Sequence, residues 1–219
     1  MQAVFMWAGY FWSDFHFNGT VTGTTSLGGS DVFVLKMAPD GSMTWFDRIG
    51  NSFANGNLLT ESAARLALNG GDLFLLGNSA QGTTDMDPGT GVHNINLADP
   101  NAYVLKLDTD GDFQEEFHYD SDDQGSHGSD IAIDSDGNII VTGNFTGTVD
   151  FDPSSDSDEM TSVGSLNAVN AFICKHISDG GADLETTIQS NRTEQRLWRQ
   201  PAHRQQWRCL HQWHVPGVA

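Results

Sequence analysis

The chain has 219 residues, of which 29 are acidic and only 10 are basic, so its formal net charge is −19. Because binding to phosphates depends on lysine and arginine, this composition excludes nucleic acid as an expected partner. No apolar run reaches the ~18 residues of a membrane-spanning helix, and two cysteines are too few for a disulfide framework.

Similar segments recur along the chain at intervals of 66 to 70 residues. One kind is an apolar run that contains a glycine, found at Gly9, Gly77 and Gly143. The other kind is an apolar run that ends in a lysine, found at Lys36, Lys106 and Lys175. Two kinds of segment that share one spacing indicate an internal repeat.

Each repeat contains four short apolar or alternating runs, which predict four β-strands, labelled A to D. We place strand A at Ile131–Asp134, strand B at Asn138–Asn144, strand C at Ala102–Leu107 and strand D at Phe113–Tyr119. Asp-Gly pairs between the runs predict hairpins, because glycine adopts a positive φ at little cost. Four antiparallel strands joined in this way are typical of one propeller blade.

In chain order, the sequence contains a B–C–D fragment (Val4–Ile49), a complete blade (Ala64–Tyr119) and an A–B–C fragment (Ser129–His176). We therefore predict an all-β protein that forms an incomplete β-propeller over residues 1–181, since propellers close with ~4–8 blades. Incomplete blades leave sheet edges and apolar faces uncovered, so we expect the isolated chain to be oligomeric or poorly soluble.

The segments IDSDGNIIVTGNFTGTVDFDP, which starts at Ile133, and YVLKLDTDG, which starts at Tyr103, resemble the bacterial β-propeller repeats known as SBBP repeats. The resemblance covers about residues 4–181. It implies a large secreted or surface-attached parent protein, and it transfers no catalytic residue because the repeat signature is structural. The chain departs from this pattern at its start, since Met1–Tyr10 has neither the basic region nor the cleavage pattern of a signal peptide.

Residues 182–219 differ in composition from the rest, with half of the basic residues and a single glycine. A tryptophan codon read one base later becomes a glycine codon, and Trp198, Trp207 and Trp213 have the same 9- and 6-residue spacing as three glycines of the third repeat. We hypothesise that this tail, from a point between residues 181 and 196, is a frameshifted translation of the next blade. We predict that it is irregular.

Pairs of aspartates precede a proline in the connection between strands B and C. They are Asp85 with Asp87 and Asp150 with Asp152. Carboxylate oxygens of this kind are ligands that calcium prefers, so the four residues are candidates for a weak calcium site. The alternative is that each first aspartate forms a turn and binds no metal.

The other polar residues favour structural interpretations. Asp108, Asp110 and Asp112 resemble the start of a calcium loop, but they lie between strands and lack the closing glutamate, so they predict a hairpin turn. We expect the repeated lysines to lie at strand ends and Cys174 to be buried.

We interpret Trp12, Phe15 and Phe17 as core or interface aromatics. The histidines His16, His93, His118, His127 and His176 form no spaced cluster.

These observations favour a non-enzymatic repeat module from a secreted or surface protein, which would bind an unknown protein or glycan and the remaining blades. We expect no catalytic residue and no cofactor other than weakly bound calcium. Two alternatives stay open. One is a truncated gene remnant without a function of its own, and the other is part of a propeller enzyme such as a hydrolase, lyase or quinone-dependent dehydrogenase.

Overall fold

The computed structural model describes residues 5–50, 62–122, 125–153, 157–164 and 167–176, so the predicted tail lies outside it. Every regular element in these ranges is a β-strand. In chain order the strands are β1 (Phe5–Phe17), β2 (Thr20–Met37), β3 (Met43–Ile49), β4 (Ser62–Asn69), β5 (Asp72–Ser79), β6 (Gly82–Asp85), β7 (Asn94–Leu97), β8 (Asn101–Asp108), β9 (Phe113–His118), β10 (Ser126–Ile133), β11 (Ile139–Phe145), β12 (Thr148–Asp150), β13 (Glu159–Thr161) and β14 (Asn170–His176).

Three antiparallel sheets correspond to the three repeats, and we call them blades 1 to 3. Blade 1 has the order β1-β2-β3, blade 2 the order β4-β5-β8-β9, and blade 3 the order β10-β11-β14. By register these strands are B–C–D, A–B–C–D and A–B–C, respectively. The predicted all-β fold of one complete and two partial blades is therefore confirmed.

The predicted Asp-Gly hairpins close in the same way in different blades. The Gly111 amide donates to the Asp108 carbonyl at 3.1 Å, and the Gly137 amide donates to the Asp134 carbonyl at 3.0 Å. Both glycines have positive φ, 93° and 87°. In each turn the first aspartate also accepts two backbone N–H groups through its side chain, which replaces ladder hydrogen bonds that end at the turn.

Blade 2 is buried on both of its faces. We call the side of a blade that faces the preceding blade its back and the other side its front. The back of blade 2 packs on blade 1 in a cluster that contains Val32, Val34, Ile49, Leu73, Leu75, Leu105 and Leu107. The front packs on blade 3 in a cluster that contains Phe74, Leu76, Val104, Val141, Phe145, Phe172 and Cys174. This alternation explains why strands B and C are apolar at nearly every position.

The repeated glycine of strand B lies under an aromatic ring of strand C in all three blades. The register pairs Gly9 with Phe33, Gly77 with Tyr103, and Gly143 with Phe172. A β-carbon at Gly77 or Gly143 would overlap the ring opposite it. The glycine is therefore required for close packing of the ring across the strand rather than for an unusual backbone angle.

Blade 1 differs from the others because β1 and β2 continue past the blade as one long ribbon. The ribbon turns at Asn18 and Gly19, which both have positive φ, as a two-residue hairpin requires. It returns Phe15 to the blade, where its ring centroid lies 4.8 Å from that of Phe33 and 4.4 Å from that of Phe46. The interpretation of Trp12 as a core aromatic is wrong, because the residue is 61% exposed beside the bend at Ser13.

Candidate functional site

The acidic pairs lie on two short ribbons inserted between strands B and C. Strands β6 and β7 form the first ribbon, and β12 and β13 form the second. Each ribbon also pairs with the chain that follows strand D of the preceding blade, through bridges between Gly50 and Asp85 and between Ser121 and Val149. The two acidic pairs therefore occupy equivalent positions one blade apart.

In the first ribbon, the Asp85 carboxylate organises its own loop. Its Oδ1 accepts the backbone N–H of Asp87 at 3.1 Å and that of His93 at 2.8 Å. The intervening Met86 donates its N–H to the His93 carbonyl at 2.8 Å, and its side chain is fully buried between blades 1 and 2. Asp87 in turn accepts the N–H of Gly89 at 2.8 Å. The pair thus fixes the turn that inserts Met86 into the core.

The second ribbon has the same geometry. Oδ1 of Asp150 accepts the N–H of Asp152 at 3.0 Å and that of Asp158 at 2.9 Å. Phe151 lies between them and is fully buried between blades 2 and 3. Burial raises the pKa of Asp158, and the charges of Asp150 and Asp152 raise it further. The loop therefore concentrates negative charge around a turn whose backbone it also holds.

The structure thus gives both acidic pairs the turn-forming role that was the alternative to a metal site. Within the residues that the structure describes, no group of three or more His, Cys, Asp or Glu side chains is arranged to hold a metal ion. One Oδ1 in each ribbon is already used by backbone donors. The calcium hypothesis stays a prediction.

Glu116 of β9 is nearly buried and lies between two histidines. Its carboxylate is 4% exposed, with Oε1 2.8 Å from Nδ1 of His118 and Oε2 3.4 Å from Nε2 of His93. Nε2 of His118 reaches Asp120 at 3.3 Å. Burial lowers the pKa of His118, but its hydrogen bond and charge interactions with Glu116 and Asp120 outweigh this, so the pKa is raised. Sequence spacing did not predict the approach of His93 to Glu116, because His93 reaches β9 through the connection between β6 and β7.

Asp47 of β3 lies at the interface of blades 1 and 2. Burial raises its pKa to about 6, with further contributions from the charges of Asp112 and Asp87. The folded state therefore holds this proton more tightly than the unfolded chain, whose aspartate titrates near 4. The contribution of Asp47 to stability is largest below pH 4 and falls as the pH rises to 6.

We expect Asp47→Asn to stabilise the protein by about 1 kcal/mol at pH 7 and to have little effect at pH 4, where the carboxyl is already neutral. Urea unfolding at the two pH values measures this difference. Glu115→Gln is the matched control, because it removes one negative charge from an exposed position of β9. An equal change for Asp47→Asn at both pH values would contradict the explanation.

The repeated lysines stabilise turns, as a strand-end position predicts. Nζ of Lys106 lies 3.0 Å from Asp72, and Nζ of Lys175 lies 2.8 Å from Asp134. Lys36 donates to the carbonyl of Thr109 at 2.6 Å and so joins blade 1 to a turn of blade 2. The predicted burial of Cys174 is confirmed, since its side chain is fully buried.

A buried tyrosine–histidine pair links blades 2 and 3. The Tyr119 hydroxyl lies 2.8 Å from Nε2 of His176, and both rings pack into the core near Phe172. Burial lowers the pKa of His176 to about 4 and raises the pKa of Tyr119. At neutral pH the histidine is therefore uncharged, and it shares one hydrogen bond with the Tyr119 hydroxyl, in which the histidine tautomer determines the donor.

No protein-family model matches this chain, and no curated protein matches it either. The resemblance to SBBP repeats therefore stays an expectation from the sequence. Among the described residues there is no helix with the length and apolar character to cross a membrane.

Proposed function

We propose that the chain is a non-enzymatic β-propeller repeat module, which belongs to a larger secreted or surface protein and presents a face for binding or scaffolding. The observation that carries this proposal is that its acidic pairs and repeated lysines are engaged in holding loops and turns of the chain itself. Asp85 and Asp150 each hold two backbone N–H groups of their own loop, and Lys106 and Lys175 pair with aspartates of hairpin turns. Groups fixed in this way shape a surface rather than activate a substrate.

The surface that these loops form is acidic. Besides the two pairs, Asp158 lies close enough to Asp150 and Asp152 for their charges to raise its pKa. Concentrated negative charge attracts cations and basic surfaces through the solvent, with an effect that falls as salt rises. This supports a binding face whose ligand is a protein or glycan that presents cationic groups or is bridged by calcium.

The test of function combines two assays on the full chain. Turnover is measured with ester, glycoside and alcohol substrates, the last with a quinone cofactor, and binding is measured on an array of glycans and basic peptides. We expect no turnover above buffer and binding that weakens with salt. The proposal would be contradicted if the chain turned over one of these substrates and substitution of a described residue abolished that turnover.

For calcium, we expect calorimetry on the full chain to give weak binding, with a Kd of ~10⁻⁴–10⁻³ M, because each loop offers only two clear carboxylates. Asp150→Asn combined with Asp152→Asn should abolish the heat from the third blade, while the asparagine side chains preserve an acceptor for the loop N–H groups. Asp110→Asn is the control, since it removes an exposed carboxylate at a hairpin turn. No heat at ~10 mM calcium would leave the pairs as turn formers only.

A further inference from the structure

The back of blade 1 is uncovered at positions that are buried in blade 2. Strand register makes Phe5 and Trp7 of blade 1 equivalent to Leu73 and Leu75 of blade 2. The two leucines are fully buried against the preceding blade, whereas Phe5 is 50% exposed and Trp7 is 56% exposed. The two aromatic residues therefore occupy interface positions and lack the neighbouring blade that their counterparts have.

The front of blade 3 is uncovered in the same sense. Ile173 is equivalent to Val104, and Ala171 is equivalent to Ala102. In blade 2, Val104 is 1% exposed and Ala102 is fully buried, because blade 3 covers them. In blade 3, Ile173 is 38% exposed and Ala171 is also exposed. The described chain thus presents one free back and one free front.

Blade 1 also differs from blades 2 and 3 in the apolar side chain that the segment between strands B and C places on the back of the blade. Met86 and Phe151 occupy the same place in the inserted ribbons of blades 2 and 3, and both are fully buried against the preceding blade. In blade 1 the side chain on the back is Phe15, which packs on Phe33 and Phe46 and is only partly buried. Phe5, Trp7 and Phe15 thus leave apolar side chains at least partly exposed on one face of blade 1, beside the buried Leu35.

We infer that this surface binds a second copy of the chain head to tail, so that the front of blade 3 in one copy packs on the back of blade 1 in the other. Both interfaces within the chain join a front to a back, and the two free faces are the same pair of repeat positions. Contacts between unlike faces add further copies until the assembly forms a closed ring. Two copies with three blades each give six blades, which is within the ~4–8 blades of closed propellers. The inference rests on the blade architecture and concerns this chain by itself, since in the larger protein of the proposed function further blades would compete for the same two faces.

The net charge of the chain determines how this association depends on salt. The contact residues are apolar, but each chain carries a net charge of −19, so the two copies repel each other through the solvent. Salt screens this repulsion and leaves apolar contacts intact. We therefore expect the association to strengthen as ionic strength rises, whereas a contact made by ion pairs would weaken.

Sedimentation velocity on the full chain tests the inference. We expect the wild-type chain to be a dimer, and we expect Trp7→Glu and Ile173→Glu each to weaken the association at least about tenfold, because each buries a carboxylate in an apolar contact. In an equimolar mixture, the unaltered front of Trp7→Glu meets the unaltered back of Ile173→Glu, while the second contact carries both changes. The mixture should therefore associate more tightly than either variant alone. Val92→Glu is the control, because Val92 is 72% exposed on an inserted loop away from both faces.

Recovery in the mixture separates unlike faces from a symmetric contact. If Ile173→Glu alone still dimerised, the contact would be back to back and the inference would be wrong. A monomeric wild-type chain, or a mixture that associates no more tightly than the two variants alone, would also contradict it. Trp7→Leu places in blade 1 the residue that blade 2 has, and it should remain dimeric. The oligomeric state of Trp7→Leu, together with circular dichroism of each variant, shows whether a variant has lost the contact between copies or has failed to fold.

Discussion

Replacing Gly77 with alanine is expected to destabilise the protein by about 3 kcal/mol, the upper range for overpacking of a core. The added methyl group would overlap the ring of Tyr103, which lies directly across the strand pair. That ring is fully buried between blades 1 and 2, so it has no space into which to move. Urea or thermal unfolding of the two chains measures the loss.

Gly9→Ala is the matched control for this prediction. The residue has the same repeat position, but the facing ring of Phe33 is only partly buried and its nearest atom would lie 2.8 Å from the new β-carbon. We expect a cost below about 1 kcal/mol there, since a partly exposed ring can shift. In a Tyr103→Leu background, the loss of stability caused by Gly77→Ala should nearly vanish. If the effects of the two substitutions on the free energy of unfolding simply added, the overlap with the Tyr103 ring would not be the cause.

Acidification from pH 6.5 to pH 4 is expected to remove about 3 kcal/mol of stability through His176 alone. The unfolded chain binds a proton at this histidine near pH 6.5, whereas burial holds its folded pKa at about 4. Stability from this group is therefore complete above pH 6.5 and is lost as the pH falls through that window. Protonation would also place a positive charge in the buried pair that His176 forms with the Tyr119 hydroxyl.

The measurement is the free energy of unfolding as a function of pH for the wild-type chain and for His176→Gln. Glutamine offers an amide oxygen to Tyr119 without titrating, so the variant should have a flatter profile between pH 4 and 6.5. His127→Gln is the control, because His127 is exposed on β10. Parallel profiles for the wild-type chain and His176→Gln would show that the buried histidine does not govern acid stability.

The sequence was sufficient to predict the elements whose signals are local. Asp-Gly pairs at Asp110–Gly111 and Asp136–Gly137 marked hairpins, and alternating apolar runs marked strands, because both depend on a few adjacent residues. The repeated glycine was recognised as a repeat marker, but its reason, the facing ring of Tyr103 or Phe172, required the register of strands B and C.

Features that depend on long-range packing were not predicted. His118 lies two residues from Glu116 on β9, but His93 reaches Glu116 through the connection between β6 and β7, and no spacing in the sequence encodes that approach. The first copy has no inserted ribbon, because its chain continues there as one hairpin that turns at Asn18 and Gly19. The proposed irregular tail lies outside the described residues. The acidic pairs do lie in the connection between strands B and C, where Asp85 and Asp150 end the short strands β6 and β12, which were not predicted.

The inserted ribbons also determine the order in which the blades are completed during synthesis. The cluster on the front of blade 1 includes Met86, Ile95 and Leu97, all from the first ribbon of blade 2. Val32 and Val34 therefore leave the ribosome well before the residues that bury them. Blade 1 is expected to remain open until residues 82–97 have emerged, and blade 2 until the ribbon that carries Phe151 has followed. Each of the first two blades thus depends for part of its covering on a segment that is translated after it.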